Sequence, residues 1–350
     1  MKKFIGVALA CGLSASMASC VSTGPGAGVS RGKVVLVEGY GAEYESLFKE
    51  HIAKPFTEET GIQVKYRAGG SGTETYAAIR IANGEPGFDL AVMTYFELNR
   101  GYQDHLLAPV TEKQVPNMSN VPQKLQEHTY GVGAIQDVQQ VSLMYNRGDF
   151  PKRPASWDVM WDPKYWQGTL VFNPTNILGV YALLNLADVG GGGISSMGPA
   201  FKRTEELAKH ALATPTTSAE AVPYMAKQTA TAFPYFDGRA AIYAKTYNYD
   251  FTVPREGTYA NLGAVGIPDG ADHKGNAYKL INYWLSESVQ ERWARAYNVG
   301  PAVSGLAFPA DFAAQHITTP EQLGKVKVAD AATVNKNRTK WQREWQEAVR

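Results

Sequence analysis

Apolar positions along this chain come in short runs whose spacing switches between two and three to four, the pattern of strands and helices following one another. Lys33 to Glu38 has the continuous Val-Val-Leu-Val core of a buried strand, and Tyr44, Leu47, Phe48, Ile52 and Phe56 then keep helical spacing. Pro55 is expected to kink or break that helix and Gly61 to stop it. Ile62, Val64 and Tyr66 alternate as a second strand, a helix runs through Tyr76 and Ile79, and Phe88 to Met93 is a short buried strand. The run Tyr130 to Asn146 is the crossing on which the chain turns. Val141, Leu143 and Tyr145 alternate with Ser142 and Met144, while polar Gln136, Asp137, Gln139 and Gln140 interrupt it midway. A strand that joins two halves and carries polar groups at its middle predicts a hinge with a ligand beside it.

Beyond the crossing, Ser156 is placed to cap a short helix with Trp157 and Trp161, and Gly168 to Phe172 reads as a strand. Ile177 to Val189 is apolar nearly all round, hence a buried helix, and four glycines at 190–193 stop it. The strand Thr231 to Phe236 contains Pro234, which places it at an edge or bulge. A helix follows Asp237-Gly-Arg239, strand-like runs cover Phe251 to Val253 and Ala264 to Ile267, and a helical pair occupies Asn276 to Tyr297. The tail is a polar helix whose Trp341 and Trp345, four apart, should dock on the body.

Composition narrows the class. A length of 350 residues suggests about two domains, 44% hydrophobic residues is ample for a core, and the net charge of +1 argues against a nucleic-acid partner. Lys2 and Lys3 followed by an apolar run to Ala18 predict a secretion signal over residues 1–19, too short to span a membrane. Met17-Ala18-Ser19-Cys20 resembles a bacterial lipobox, so Cys20 is the expected lipid anchor and residues 20–32 a Gly/Ser/Pro-rich tether. The chain is thus expected to be exported, periplasmic or at the cell surface, and held to a membrane by lipid alone.

Candidate chemistry gathers at strand ends. The turn Gly69-Gly-Ser71-Gly-Thr73-Glu74 opens a helix, where free backbone N–H groups suit a carboxylate or phosphate; a plain cap by Ser71 or Thr73 is the other reading. Ligands of open parallel sheets collect at carboxyl ends of strands, which would bring Tyr40, Ser71 and Thr94-Tyr95 to one rim. The six histidines are scattered without ligand spacing, and no hydrolase elbow, zinc-protease or dinucleotide motif is present. No enzyme activity and no cofactor are expected.

Several segments together resemble the extracellular solute-binding proteins of bacterial ABC importers, in the spermidine/putrescine-binding type of family. They are Lys54-Pro-Phe-Thr-Glu-Glu-Thr-Gly-Ile-Gln-Val64, Phe88-Asp-Leu-Ala-Val-Met93 and Trp157-Asp-Val-Met-Trp-Asp-Pro-Lys-Tyr165, with Phe236-Asp-Gly-Arg-Ala240, Ala277-Tyr-Lys-Leu-Ile-Asn-Tyr-Trp-Leu285 and Asn298-Val-Gly-Pro301. The resemblance implies a two-lobed, type II periplasmic-binding-protein-like α/β fold with a hinge. Lobe 1 would take residues 33–134 plus 254–301, and lobe 2 residues 135–253 plus 302–350. It implies a monomer that delivers a small solute to the permease and ATPase subunits of the transporter.

In this frame Asp137 would meet an amine, and Asn176, Tyr235, Tyr259 and Asn261 would line the cleft. Asp237 either caps the following helix or contacts the ligand, and Arg239 reads as an internal salt-bridge partner. Polyamine-binding relatives hold ammonium groups with acids and tryptophans. Here Tyr259-Ala-Asn261-Leu stands in the corresponding Trp-Met-Asp segment, and Asn176 stands where relatives carry further acids. A dication without counter-charges pays a heavy desolvation cost. The expected solute is therefore amine-bearing with an anionic end: polyamine-like, amino-acid-like or aminophosphonate-like. The alternative is ferric iron on the same scaffold, suggested by Tyr247-Asn-Tyr249.

Overall fold

The computed structural model describes residues 32–41 and 43–350; the expected export signal and Cys20 lie outside the described residues. Strands β1 (Val34–Tyr40), β2 (Gln63–Gly69), β3 (Leu90–Thr94), β4 (Gly133–Asn146), β5 (Ala232–Phe236), β6 (Tyr249–Thr252), β7 (Ala260–Gly266) and β8 (Gly300–Pro301) join in one sheet system. The order is β2-β1-β3-β7-β4-β5, with β6 and β8 also on β4. β1 is parallel to β2 and β3, whereas β7 runs antiparallel between β3 and β4. Val35, Val37, Leu90 and Val92 are fully buried, as expected of parallel strands covered by helices on both faces.

β4 makes the two-lobed α/β arrangement. Its first part, Gly133 to Gln140, pairs with β7, and Asp137 and Val138 also pair with β8. Its second part, from Val141 on, pairs with β5 and β6 instead. One continuous strand of 14 residues therefore passes from one lobe's sheet into the other's. The register breaks between Ile135 and Asp137, a bulge that bends the strand and re-aims side chains. Bulging strands Gln136, whose carbonyl accepts a bond from Gln290 Nε2 at 3.1 Å.

The sequence pattern survives well at the helices and fails in two places. Pro55 does not end the first helical run. The helix Glu43–Phe48 passes through a π-helical turn, Lys49–Ala53, into the helix Lys54–Thr60, with proline in its first turn. Proline has no N–H to donate to the carbonyl four residues back. That carbonyl belongs to His51, and Arg292 Nε donates to it at 3.0 Å. A wider turn and an outside donor together accommodate the proline. The strand expected over Gly168 to Phe172 is reduced to a single parallel bridge, Leu170 with Ala213. Pro234 does lie on an edge strand, opposite Leu143.

The helix Ile177–Val189 begins where Asn176 Oδ1 accepts from Leu178 N at 2.9 Å. The tail helix Ala331–Ala348 crosses between lobes. Near its start Asn335 Nδ2 donates to Phe96 O and Asn99 Oδ1, while further on Gln342 Nε2 donates to Pro174 O. Trp341 and Trp345 are both only 3% exposed, so the expected docking is found. Among the described residues no helix is long and apolar enough to cross a membrane.

Candidate functional site

A cleft of about 790 Å³ lies where β4 passes between the lobes. Tyr40 at the end of β1, Ser71 and Thr73 in the glycine-rich turn, and Thr94 at the end of β3 line one part of it. Asn176 and Ile177, Ser218 and Ala219, and Phe236 line another, with Gln139 and Asn261 on the crossing strands between. The carboxyl ends of β1 and β3 meet here because parallel strands point the same way.

Of the expected site residues, Tyr40, Ser71, Thr73, Thr94, Asn176 and Asn261 are thus brought together. The other five do not line the cleft. Tyr95, one residue past Thr94, turns into the core as its helix begins, and its hydroxyl donates to Ala329 O at 2.9 Å. Tyr235 stands on the face of β5 opposite to Phe236, as a period of two requires, and donates to Ser218 O at 2.8 Å. It supports a cleft-lining loop from behind. Tyr259 packs under Lys327, whose Nζ sits 5.6 Å from the ring centroid.

Asp237 is fully buried and acts as a junction rather than a lining group. Its Oδ1 accepts from Gly238 N at 2.8 Å and from Gln140 N of β4 at 3.2 Å, and its Oδ2 faces His316 Nδ1 at 3.2 Å. The acid thereby ties the hinge strand to the segment preceding the tail. Asp137 is also displaced from its expected place. It lies on the same side of β4 as Gln139, whose Nε2 donates to it at 3.4 Å, but two residues further down the strand, roughly 7 Å deeper. It is 1% exposed, against Gly263 of β7, where a Cβ would come within 2.5 Å of its Oδ1. Burial pushes its carboxyl up to about 7, with Gln139, Gln136 and Trp293 pulling the other way.

Above Asp137, Tyr40, Tyr44 and Tyr297 form an edge-to-face cluster with centroids 5.1 Å apart for both Tyr40–Tyr44 and Tyr44–Tyr297. All three line the cleft. Burial raises their phenols above the usual range, so they present neutral O–H groups and ring faces able to border a cation. The Tyr44 hydroxyl is buried with no hydrogen-bond partner.

Sequence reasoning missed the charged lining. Glu97, 3% exposed, accepts from Thr94 Oγ1 at 2.6 Å, Thr94 N at 3.1 Å and Thr73 Oγ1 at 3.1 Å. A capping-box pattern, Thr94-x-x-Glu97, was the available signal. Arg239 pairs with Glu43, as its reading as a salt-bridge partner anticipates, and the pair links helices of the two lobes at the cleft. Arg100 lies 4.4 Å over the Tyr76 ring. Arg338, Thr339 and Gln342 reach the cleft from the tail helix.

Gly179 shows how tightly the cleft loop is held. A Cβ there would meet Asn173 O at 2.1 Å and Pro174 N at 2.7 Å, both backbone. Gly179→Ala is expected to push the loop 173–176 toward the cleft, costing about 1–3 kcal/mol by overpacking. Solute affinity should fall more than a surface alanine would cause; unchanged affinity with lowered stability would show that the loop does not touch the solute.

Tyr247 and Tyr249 do not line the cleft. Tyr249 is buried beside β4 and donates its hydroxyl to Ala230 O at 2.5 Å. Among the described residues no group of three His, Cys, Asp or Glu side chains could hold a metal ion.

Residues 51–319 match the profile of the bacterial extracellular solute-binding proteins. The chain is 23% identical over 308 residues to the spermidine/putrescine-binding periplasmic protein of Escherichia coli K12, covering 85% of this chain and 83% of the relative. It is 25% identical over 278 residues to the iron uptake protein A1 of Synechocystis, covering 76% of each. A crystal structure of a putative extracellular solute-binding protein from Bordetella parapertussis superposes with a TM-score of 0.77 at 20% identity, covering 91% of this chain and 99% of that one.

Proposed function

We propose that this chain, which belongs to the bacterial extracellular solute-binding proteins, captures a small amine-bearing or zwitterionic organic solute between its lobes and hands it to the membrane subunits of an ABC importer. The carrying observation is the cleft itself. It is lined by residues of both lobes, by the strands between them and by the tail helix. A solute that touches both lobes favours the arrangement in which they are together, by as much as its affinity for that arrangement exceeds its affinity for the open one. That difference is what a transporter's membrane subunits can read.

Three features support an amine end and an anionic end on one solute. The Tyr40, Tyr44 and Tyr297 rings supply an electron-rich wall, and Glu97 supplies a buried carboxylate nearby in the lining. Arg338 supplies positive charge in the lining, whereas the start of the helix Gly72–Ile81 is capped, with Ser71 Oγ accepting from Glu74 N and the Glu74 carboxylate accepting from Ser71 N. Among the described residues the lining holds no acidic side chain besides Glu97, and a polyamine would need a second. The lobe boundaries inferred from the resemblance lie near residues 134–135, 253–254 and 301–302, and the change of pairing partner within β4 comes between Gln140 and Val141. Export and lipid anchoring through Cys20 complete it, since an importer's capture protein works outside the cytoplasmic membrane.

A thermal-shift screen over polyamines, amino acids, phosphonates, sugar phosphates and ferric iron tests the proposal. A solute at a hundredfold excess over Kd stabilises by about 2.7 kcal/mol, and small-angle scattering should show a more compact particle with it. Stabilisation by ferric iron alone, with a charge-transfer colour, would replace the organic solute by the metal. No stabilisation by any compound, with an unchanged scattering profile, would defeat the proposal.

A further inference from the structure

The cleft's charged groups differ in how completely the protein itself satisfies them. Glu97 already accepts three hydrogen bonds, Arg239 is paired with Glu43, and Arg100 is stacked over the Tyr76 ring. Arg338 is in a different condition. Its side chain is 15% exposed, and a guanidinium carries five N–H donors. Two bonds are made, Nη1 to Thr73 Oγ1 at 3.4 Å and Nη2 to Thr175 O at 3.1 Å. Five less two leaves three N–H groups, and Nε among them is buried without a partner. Glu97 stands 4.0 Å from Nη1, an ion-pair distance but beyond a hydrogen bond.

A buried donor left unpaired costs free energy, and a guanidinium's planar fork suits an oxyanion above other acceptors. The surroundings point the same way. Thr73, on the helix Gly72–Ile81, and Thr175, just before the helix Ile177–Val189, are the two residues Arg338 bonds. The positive ends of both helices therefore flank the guanidinium. The Thr73 hydroxyl donates to Glu97 and Thr175 N to Asn173 Oδ1, so an oxyanion placed there would take its hydrogen bonds from Arg338 of the tail while lying beside the starts of two helices, one on each lobe.

We propose that Arg338 is the anion-binding residue of the cleft and that it selects solutes ending in a carboxylate or phosphonate over polyamines. This rests on the solute-capture reading and names the solute class within it. Arg338 comes from the tail helix, so the tail takes part in recognition as well as in packing.

The test is a matched series measured by titration calorimetry: putrescine, γ-aminobutyrate and 3-aminopropylphosphonate, each keeping one ammonium and differing chiefly at the other end. The wild-type chain should bind one or both anionic probes and should bind putrescine at least tenfold more weakly; which anion binds tighter distinguishes carboxylate from phosphonate. Arg338→Gln should weaken the anionic probe roughly ten- to a hundredfold, as expected for a lost charged hydrogen bond. Arg338→Lys, which keeps the charge without the fork, should recover part of it. Circular dichroism and the denaturation midpoint establish that each variant is folded. Should Arg338→Gln unfold, the lysine variant carries the test, since its charge without a fork must still weaken binding. Equal affinity for putrescine, unchanged affinity in either variant, or failure of both anionic probes to bind would each overturn the assignment. Binding of a cation or neutral compound from the wider screen would leave solute capture standing.

Discussion

Asp137→Asn is expected to stabilise the protein above neutral pH and to leave it no more stable at pH 4. In the folded chain burial raises this carboxyl from the ordinary 3.8 to about 7. Between those values the native state keeps a proton that the unfolded state has released. Stability contributed by this group therefore falls as pH rises through that window and levels off above it. Three units correspond to a ceiling of about 4 kcal/mol; relaxation around the site should leave about 2–4 kcal/mol. Asparagine has the shape of the protonated acid and no charge to bury, so the two stability curves should coincide near pH 4 and separate by that amount at pH 8. Urea denaturation at several pH values measures it, and parallel curves would mean that Asp137 is ionised and satisfied in place. The same group links pH to function. Its charge acts on the phenols of Tyr40, Tyr44 and Tyr297, so an ammonium seated on those rings would favour its ionised form. Affinity for an amine-bearing solute should then rise from pH 6 to pH 8 in the wild-type chain and stay flat in the asparagine variant.

The position of Asp137 also shows what a linear pattern can and cannot convey. The polar interruption in Tyr130 to Asn146 marks the crossing strand, because alternation fixes a strand wherever one face is buried. It does not say which polar residue reaches solvent. That depends on depth along the strand, and on the tyrosine cluster packed over Asp137 from β1, the first helix and the helix Glu287–Tyr297. Gln139, two residues on, is the one that lines the cleft. Parity explains Tyr235 and Phe236 in the same way: neighbours in a strand face opposite sides, and the polar neighbour was the buried one. Arg338 was illegible for another reason. It sits among Lys336, Lys340 and Arg343 on a helix that reads as polar all round, where a charge run ordinarily means a solvated face. Its burial comes from where the helix lies, across the two lobes, and that placement is set by apolar residues a turn or more away. The buried helix Ile177–Val189 needed no such outside information, since an all-round apolar sequence has a single physical use in a chain of this kind.

Trp345→Ala tests that placement directly. The indole is buried and borders a small apolar hollow together with Met160, Leu170, Phe172, Leu186, Leu207 and Pro234, all from the segment that follows the crossing strand. Truncating the side chain removes the transfer energy of the ring and widens that hollow into a larger cavity, which in general costs about 3–5 kcal/mol. At the other end of the same helix Asn335 holds Phe96 and Asn99, so the tail is anchored to both lobes and Arg338 lies between the anchors. Loosening one anchor should lower the global denaturation midpoint and speed hydrogen exchange through Ala331–Ala348. It should also weaken binding of an anionic solute, although Trp345 does not line the cleft. The two losses separate if the tail is an independent unit: exchange would then accelerate while the midpoint of the rest of the chain stays put. That outcome would remove the tail from the mechanics of closure and leave Arg338 as a residue held locally by Thr73 and Thr175. A joint loss would mean instead that the helix carries strain between the lobes, so that whatever sits on Arg338 is felt on both sides of the hinge.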